Sequence, residues 1–279
     1  MDVLIRSARE RGDYDACVVL QRDVWGLTDL EVTSAIQLVA TVHAGGLLLV
    51  AESPGEGVVG FCYAFAALRG GEPHLHSDML AVGSSFRGRG IARRLKWAQR
   101  DEAVRRGLRL VTWTFDPMRA ANARLNLRHL GAVAREVLPD FYGTTSSALH
   151  HSLATDRLLA RWELDSPRVV ARSKGVAPPP GLPRAAVALN HVTWRDGLPV
   201  SVPPRLDLEG EALLVEVPGD WDAVCRADMG LAREWQAVVR RSLEAAFARG
   251  YATVDCLSEP EGGRPRAVYV LRRAERVLT

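Results

Sequence analysis

The feature that most limits the fold is the stretch Ser84–Leu95, "SSFRGRGIARRL". It follows the apolar run "MLAV" (79–82) and opens a helical pattern, so strand, glycine-rich turn and helix fall in that order. A helix N-terminus leaves N–H groups unpaired and carries partial positive charge. Glycines that let the backbone approach closely turn it into an anion site. The pattern is R-x-x-G-x-A, from Arg87 to Ala92. An ordinary strand-to-helix turn reads the same way. A third reading, a basic patch for nucleic acid, rests on Arg87, Arg89, Arg93, Arg94, Lys96, Arg100, Arg105 and Arg106 in one segment. Asp101 and Glu102 interrupt that run and only Trp97 offers a stacking ring, so a solvated helix face explains most of the charge and nucleic acid is not the expected partner. A dinucleotide-binding fold is excluded, because G-x-G-x-x-G is incomplete and no alternating parallel-strand pattern precedes it.

The pattern around the motif is mixed α+β. Val3–Ala8 reads as a strand, Asp13 begins a helix with Ala16, Val19, Leu20 and Val24 as apolar positions, and Leu30–Val42 reads as a second helix. "GLLLVAES" and "GVVGFCYAFAAL" form a hairpin through "SPGEG", and "HLHSDMLAV" is the next strand. Gly90–Arg106 is helical, with Ile91, Leu95 and Ala98 on one side and Gly107 as its stop. "LRLVTWTF" is a strand, and Asp116-Pro117 starts a helix with Ala120, Ala123, Leu127 and Leu130 inward, ended by Gly131. "AVAREVL" and "DRLLARWEL" read as closing strands.

At 279 residues and 47% hydrophobic the chain suffices for about two domains. Domain 1–165 is followed by a linker at 166–183, where prolines disfavour helix and sheet pairing, and by a smaller α+β domain at 184–279. That last domain carries the strands "AAVALNHV", "EALLVEVP", "YATVDCL" and "AVYVLRR", and a long helix ending near Gly250 with Trp235, Val239, Leu243 and Phe247 on adjoining turns. The net charge of +3 is too mild to demand a polyanionic partner. Lys96 and Lys174 are the two lysines among 36 basic residues, a codon bias before a functional signal. Cys17, Cys62, Cys225 and Cys256 lie far apart without metal spacing, which points to a reducing cytoplasm and no structural metal. Apolar runs such as "GLLLVA" are too short to span a bilayer.

The order of strand, helices, hairpin, "HSDMLAV", "RGRGIA", "LVTWTF" and "NARLNLRHLGA" resembles the GNAT superfamily of acyl-CoA-dependent N-acyltransferases over Val3–Leu164. "RLKWAQRDEAVRRGLRLVTWTFDP" with "NARLNLRHLGA", "FYG" and "DRLLARWEL" is similar to a largely uncharacterised bacterial and archaeal subgroup of it. The resemblance implies a GNAT-like mixed sheet flanked by helices, acetyl-CoA as cofactor, and N-acetyl transfer to an amine acceptor by direct attack. Arg87, Gly88, Arg89, Gly90, Ile91 and Ala92 would wrap the coenzyme A pyrophosphate. Leu80, Ala81 and Val82 would offer strand-edge backbone to the pantetheine amides, and Asn122 a further polar contact.

Such enzymes need a route for the ammonium proton and donors for developing charge. The tyrosine that often protonates the leaving thiolate, four residues before the helix-ending glycine, is replaced here by Leu127, with Tyr142 as a substitute from a later loop. Period-two alternation puts His74, His76, Asp78, Leu80 and Val82 on one strand face. His76 and Asp78 are therefore candidates for base and orienting carboxylate, although the similar subgroup carries histidine at the Asp78 position. Asp116 reads as a helix cap, and Trp113 and Trp162 as core. A catalytically weak acyl-CoA sensor is the alternative that Leu127 favours. The C-terminal unit would shape the acceptor site or mediate association into a homodimer.

Overall fold

The structure is a computed structural model that describes residues 3–143, 151, 153–260 and 262–276. Two compact units emerge. One is Met1–Trp113 with Glu163–Asp165, and the other includes Thr114–Gly143, Leu153–Trp162 and Ser166–Thr279. These are not the sequence segments 1–165 and 184–279, since the division falls inside a strand.

The first unit runs β1 (Leu4–Ser7), α1 (Arg11–Trp25), α2 (Ala35–His43), β2 (Leu47–Ser53), β3 (Gly57–Arg69), β4 (Glu72–Val82), α3 (Ile91–Arg105) and the start of β5 (Leu110–Phe115). Its strands lie in the order β1-β2-β3-β4-β5, antiparallel up to β4 and parallel between β4 and β5. The predicted hairpin is β2–β3. One sheet face buries Leu48, Val50, Phe61, Tyr63 and Ala81 against Tyr14, Cys17 and Leu20 of α1 and Leu38 of α2. β2 is buried at nearly every position, as expected of a strand covered on both faces.

Helix starts are set by side-chain caps. α1 begins before Asp13 because Glu10 and Asp13 form a capping box. The same Asp13 accepts from Arg6 at 2.7 and 2.8 Å and from the Arg9 amide at 2.8 Å, which holds its carboxyl well below the usual carboxylate range. α2 begins at Ala35 rather than Leu30, where Ser34 Oγ accepts from the Gln37 amide at 3.3 Å.

In the second unit the two segments read as closing strands, β6 (Val133–Leu138) and β7 (Arg157–Glu163), pair antiparallel. β6 also pairs with β12 (Tyr251–Ser258), where Thr253 Oγ1 donates to Ala134 O at 3.0 Å. The sheet continues through β13 (Arg266–Arg273), β11 (Ala212–Pro218) and β8 (Ala186–Ala188). Helix α7 (Met229–Ala248) buries Trp235, Val239 and Leu243, while α6 (Trp221–Ala227) precedes it and β9 (Val192–Arg195) and β10 (Leu198–Ser201) form a separate hairpin.

Two sequence readings change. The 166–183 stretch opens with helix α5 (Pro167–Ser173), capped by Ser166 with proline in its first turn. Its Arg168 donates to the carbonyls of Gly131, Leu127 and Val254, and Arg172 to that of Arg128, so polar contacts order a segment whose prolines suggested a linker. The helix expected after Asp116-Pro117 is only four α residues, α4 (Ala120–Ala123), before a π-helical segment at Arg124–His129. Leu130 N–H then donates to Leu125 O at 3.0 Å. Such widened turns recur at functional sites.

Asp13→Ala leaves the Arg6 guanidinium with Glu52 alone, to which its Nε donates at 2.7 Å, and strands the amides of Arg9 and Glu10. It is expected to lower the unfolding free energy by about 3 kcal/mol in urea titration, and a loss below about 0.5 kcal/mol would show that Arg6 re-pairs fully with Glu52.

Candidate functional site

β4 pairs with β3 along its length, but with β5 through two residue pairs, Leu75 with Val111 and His76 with Thr112. From Ser77 to Val82 its other edge has no ladder partner among the described residues. An open edge of this kind accepts an extended ligand as an added strand, and Leu80, Ala81 and Val82 lie on it.

The strand also carries a β-bulge. Tyr63 faces Met79 and Ala64 faces Ser77, so Asp78 is one residue more than β3 can match. This corrects the expected common face. His74 and His76 share a face with Met79 and Ala81, whereas Leu80 and Val82 turn to the opposite one. An inserted residue reverses the alternation for everything beyond it.

His76 leans on Phe65, with ring centroids 5.1 Å apart, and its Nδ1 lies 2.9 Å from Thr112 Oγ1. Burial, reinforced by His74 and Lys96, lowers its pKa to about 4, so the ring is neutral near pH 7. Buried His74 instead places Nδ1 3.0 Å from Glu72 O. Asp78 is exposed, and desolvation by the surrounding protein raises its carboxyl pKa. The His76 hydrogen bond runs to Thr112 and not to Asp78.

Beyond β4 the chain turns through Ser84–Phe86 into the glycine motif. Gly88 and Gly90 take φ of +76° and +75°, left-handed values that disfavour side chains. A Cβ on either would meet no protein atom within 4 Å, so the glycines face open space and are not forced by packing. Gly90 is the N-cap of α3, and Arg94 is the first residue to donate helically, to Gly90 O at 3.0 Å. The amides of Ile91, Ala92 and Arg93 therefore point out of the helix start. Arg87, Arg89 and Arg93 are exposed there. Further along, Arg105 and Arg106 pair with Glu102, Arg94 donates to Val3 O and Arg100 to Leu164 O. The basic run is thus divided into a cationic helix start and a neutralised end, unlike a continuous nucleic-acid stripe.

Sequence reasoning missed a polar cluster on the α3 side of β4. The inward stripe of α3 is Ile91, Leu95, Lys96, Gln99 and Ala103. Lys96 Nζ donates to Ser77 Oγ at 3.1 Å and Gln99 Oε1 at 2.7 Å, and lies 3.8 Å from the Trp113 ring centroid. Gln99 Nε2 donates to Ser77 Oγ at 3.1 Å. Desolvation lowers the Lys96 pKa to about 8. The available signal was one of two lysines standing next to Leu95 on the helix's apolar side.

The remaining expected residues, Trp113 apart, belong to the second unit. Asn122 is exposed and accepts from Asn126 Nδ2 at 3.3 Å. Leu127 is fully buried in the π-helical segment. Tyr142 is exposed, its hydroxyl 2.9 Å from Thr114 Oγ1 and its ring under the Arg157 guanidinium at 5.0 Å. Asp116 Oδ1 accepts from the Met118 amide at 2.7 Å, a turn-capping role, and burial raises its pKa. Trp113 and Trp162 are buried, the latter donating to Leu130 O at 2.8 Å. Among the described residues no group of three His, Cys, Asp or Glu could hold a metal ion, and no helix is long and apolar enough to cross a membrane.

No curated protein matches the chain. Among solved structures, Arabidopsis thaliana NAA60 in complex with acetyl-CoA is similar at 16% identity and TM-score 0.50, covering 59% of this chain and 100% of that one. An N-acetyltransferase from Staphylococcus aureus Mu50 gives 18% and 0.48, covering 59% and 100%. The ribosomal-protein-S18-alanine N-acetyltransferase from Escherichia coli gives 16% and 0.47, covering 59% and 96%. The first of these likenesses supports the fold alone. Residues 15–131 match the model of the Acetyltransferase (GNAT) family, and the matched region holds the open strand edge and the glycine cradle at the start of α3.

Proposed function

We propose that the chain is an acetyl-CoA-dependent N-acetyltransferase acting on an amine by direct attack. The observation that carries this is continuity: the unpaired edge Ser77–Val82 runs directly into the Arg87–Ala92 cradle. The residues fit the cofactor. The β4 edge suits pantetheine amides, the open glycines suit close approach of pyrophosphate, and three exposed arginines suit its phosphates. NAA60, similar in fold, is described with acetyl-CoA. Asn122 is proposed as a further polar contact. The four buried free thiols accord with a reducing cytoplasm.

Acetyl-CoA, when bound, supplies an acetyl thioester open to attack. The protein's part is to orient the acyl end along β4, to take a proton from the incoming amine and to return one to the departing sulfur. Asp78, its carboxyl pKa raised by desolvation, is proposed with His76 to handle the amine proton. His76 is held neutral and anchored by Thr112, which suits it to accept a hydrogen bond from the amine and makes it a weak base. Tyr142, an exposed phenol, is proposed as the acid on chemical grounds in place of the buried Leu127. That leucine also favours a second reading, a cofactor-binding module without turnover.

Three outcomes are expected. First, millimolar acetyl-CoA raises Tm by linkage. Gly90→Val abolishes that rise while remaining folded, its own Tm lowered by left-handed strain of about 1–2 kcal/mol. An undiminished rise in folded Gly90→Val would reject the cradle. Second, with an amine found by screening small amines and peptides for CoA release, Asp78→Asn, His76→Ala and Tyr142→Phe lower kcat by roughly 10²-fold with the KM for acetyl-CoA little changed. Unchanged kcat in all three would leave catalysis to proximity and backbone donors, and no turnover despite binding favours the sensor. Third, the His76 pKa falls from 6.5 to about 4 on folding. Its contribution to stability is present above pH 6.5 and is lost as pH falls through about 4. Wild-type Tm should therefore drop more steeply than that of His76→Gln between those values, and equal slopes would remove the buried neutral imidazole.

A further inference from the structure

We infer that Lys96 is a positioning residue that fixes the acyl end of the site, its ammonium holding Ser77, the residue just before the bulged Asp78. The inference rests on the acetyl-CoA reading above. Ser77 stands at a mechanical boundary. His76 is the last β4 residue paired with β5, and Asp78 has no counterpart on β3. The backbone at Ser77 and Asp78 therefore lacks ladder support on one edge and is out of register on the other. The support comes from below, through a side chain.

That support is saturated. Ser77 Oγ accepts from Lys96 and Gln99 at 3.1 Å each, leaving its proton for Cys62 Sγ at 3.7 Å. The Lys96 ammonium directs one N–H to Ser77, another to Gln99 Oε1 and its remaining charge to the face of Trp113. A hydroxyl with both acceptor sites and its donor engaged cannot rotate freely.

A purely structural role is the weaker account. A buried ammonium is an inefficient way to stabilise a core, because apolar replacement of buried charged groups is often neutral or better. In a chain with 36 basic residues of which two are lysines, this one is buried. Arginine is not equivalent here, since a rigid planar fork of five donors differs from the compact ammonium that meets Ser77, Gln99 and the Trp113 ring. Lys96 is itself buried from solvent, so it acts through Ser77 and not by touching ligand.

The test measures affinity for acetyl-CoA and for CoA, which lacks the acetyl group, by calorimetry in wild type, Lys96→Met, Ser77→Ala and the double variant. Loosening the acyl end while sparing the cradle should weaken acetyl-CoA binding about tenfold in each single variant and leave CoA binding within about twofold. The double variant should lose no more than either single one, because both remove the same contact. Ser77→Ala removes one hydroxyl and decides the matter if Lys96→Met does not fold. Wild type that binds neither ligand overturns the functional reading. Wild type that binds both, with variants that weaken the two ligands equally or not at all, overturns the role of Lys96 alone.

Discussion

A strand that pairs fully on one edge and for two residues on the other is the constraint from which the site follows. Backbone N–H and C=O groups must be satisfied by protein, water or ligand, and among the described residues the last six of β4 have no neighbouring strand on the β5 side. A second row of such groups stands at the start of α3, where the chain has put glycine at two left-handed positions. These two rows are joined by the short turn 83–90. One extended molecule with amides at one end and phosphates at the other could satisfy both.

The bulge at Asp78 lifts a carboxylate out of the alternation that otherwise sends every second side chain into a core, and leaves it exposed. His76, two residues earlier, remains in alternation and is anchored to Thr112. Desolvation acts on both neighbours: it disfavours the imidazolium of His76 and the carboxylate of Asp78, so one pKa falls while the other rises.

Most of the first unit was legible in the sequence because its signals are local. Apolar runs joined by the turn-forming "SPGEG" marked the β2–β3 hairpin, and glycine beside arginine at a strand-to-helix junction marked the cradle. What escaped reading depends on contacts distant in sequence. Nothing in "HSDML" announces an extra residue, because the bulge exists only relative to β3. Lys96 read as surface charge because its partners, Ser77 and Trp113, lie 19 and 17 positions away. Ser166-Pro167 carried a helix-start signal that the later proline run concealed. The π-helical segment at Arg124–His129 arises where apolar periodicity continues unbroken, so the sequence shows a helix and not its widening.

The scarcity of lysine has a consequence of its own for an enzyme of the proposed kind. Acetyl thioesters react slowly with any exposed, unprotonated primary amine, and a protein that concentrates one near its own surface is the first nucleophile it meets. Of the two lysine amines in this chain, Lys96 is sealed beneath β4 and only Lys174 is exposed. Arginine, which holds its proton throughout the physiological range and does not attack thioesters, supplies the rest of the positive charge, including all of it at the helix start. The molecule is thereby built to handle an acylating agent with almost no side-chain amine of its own to be acylated.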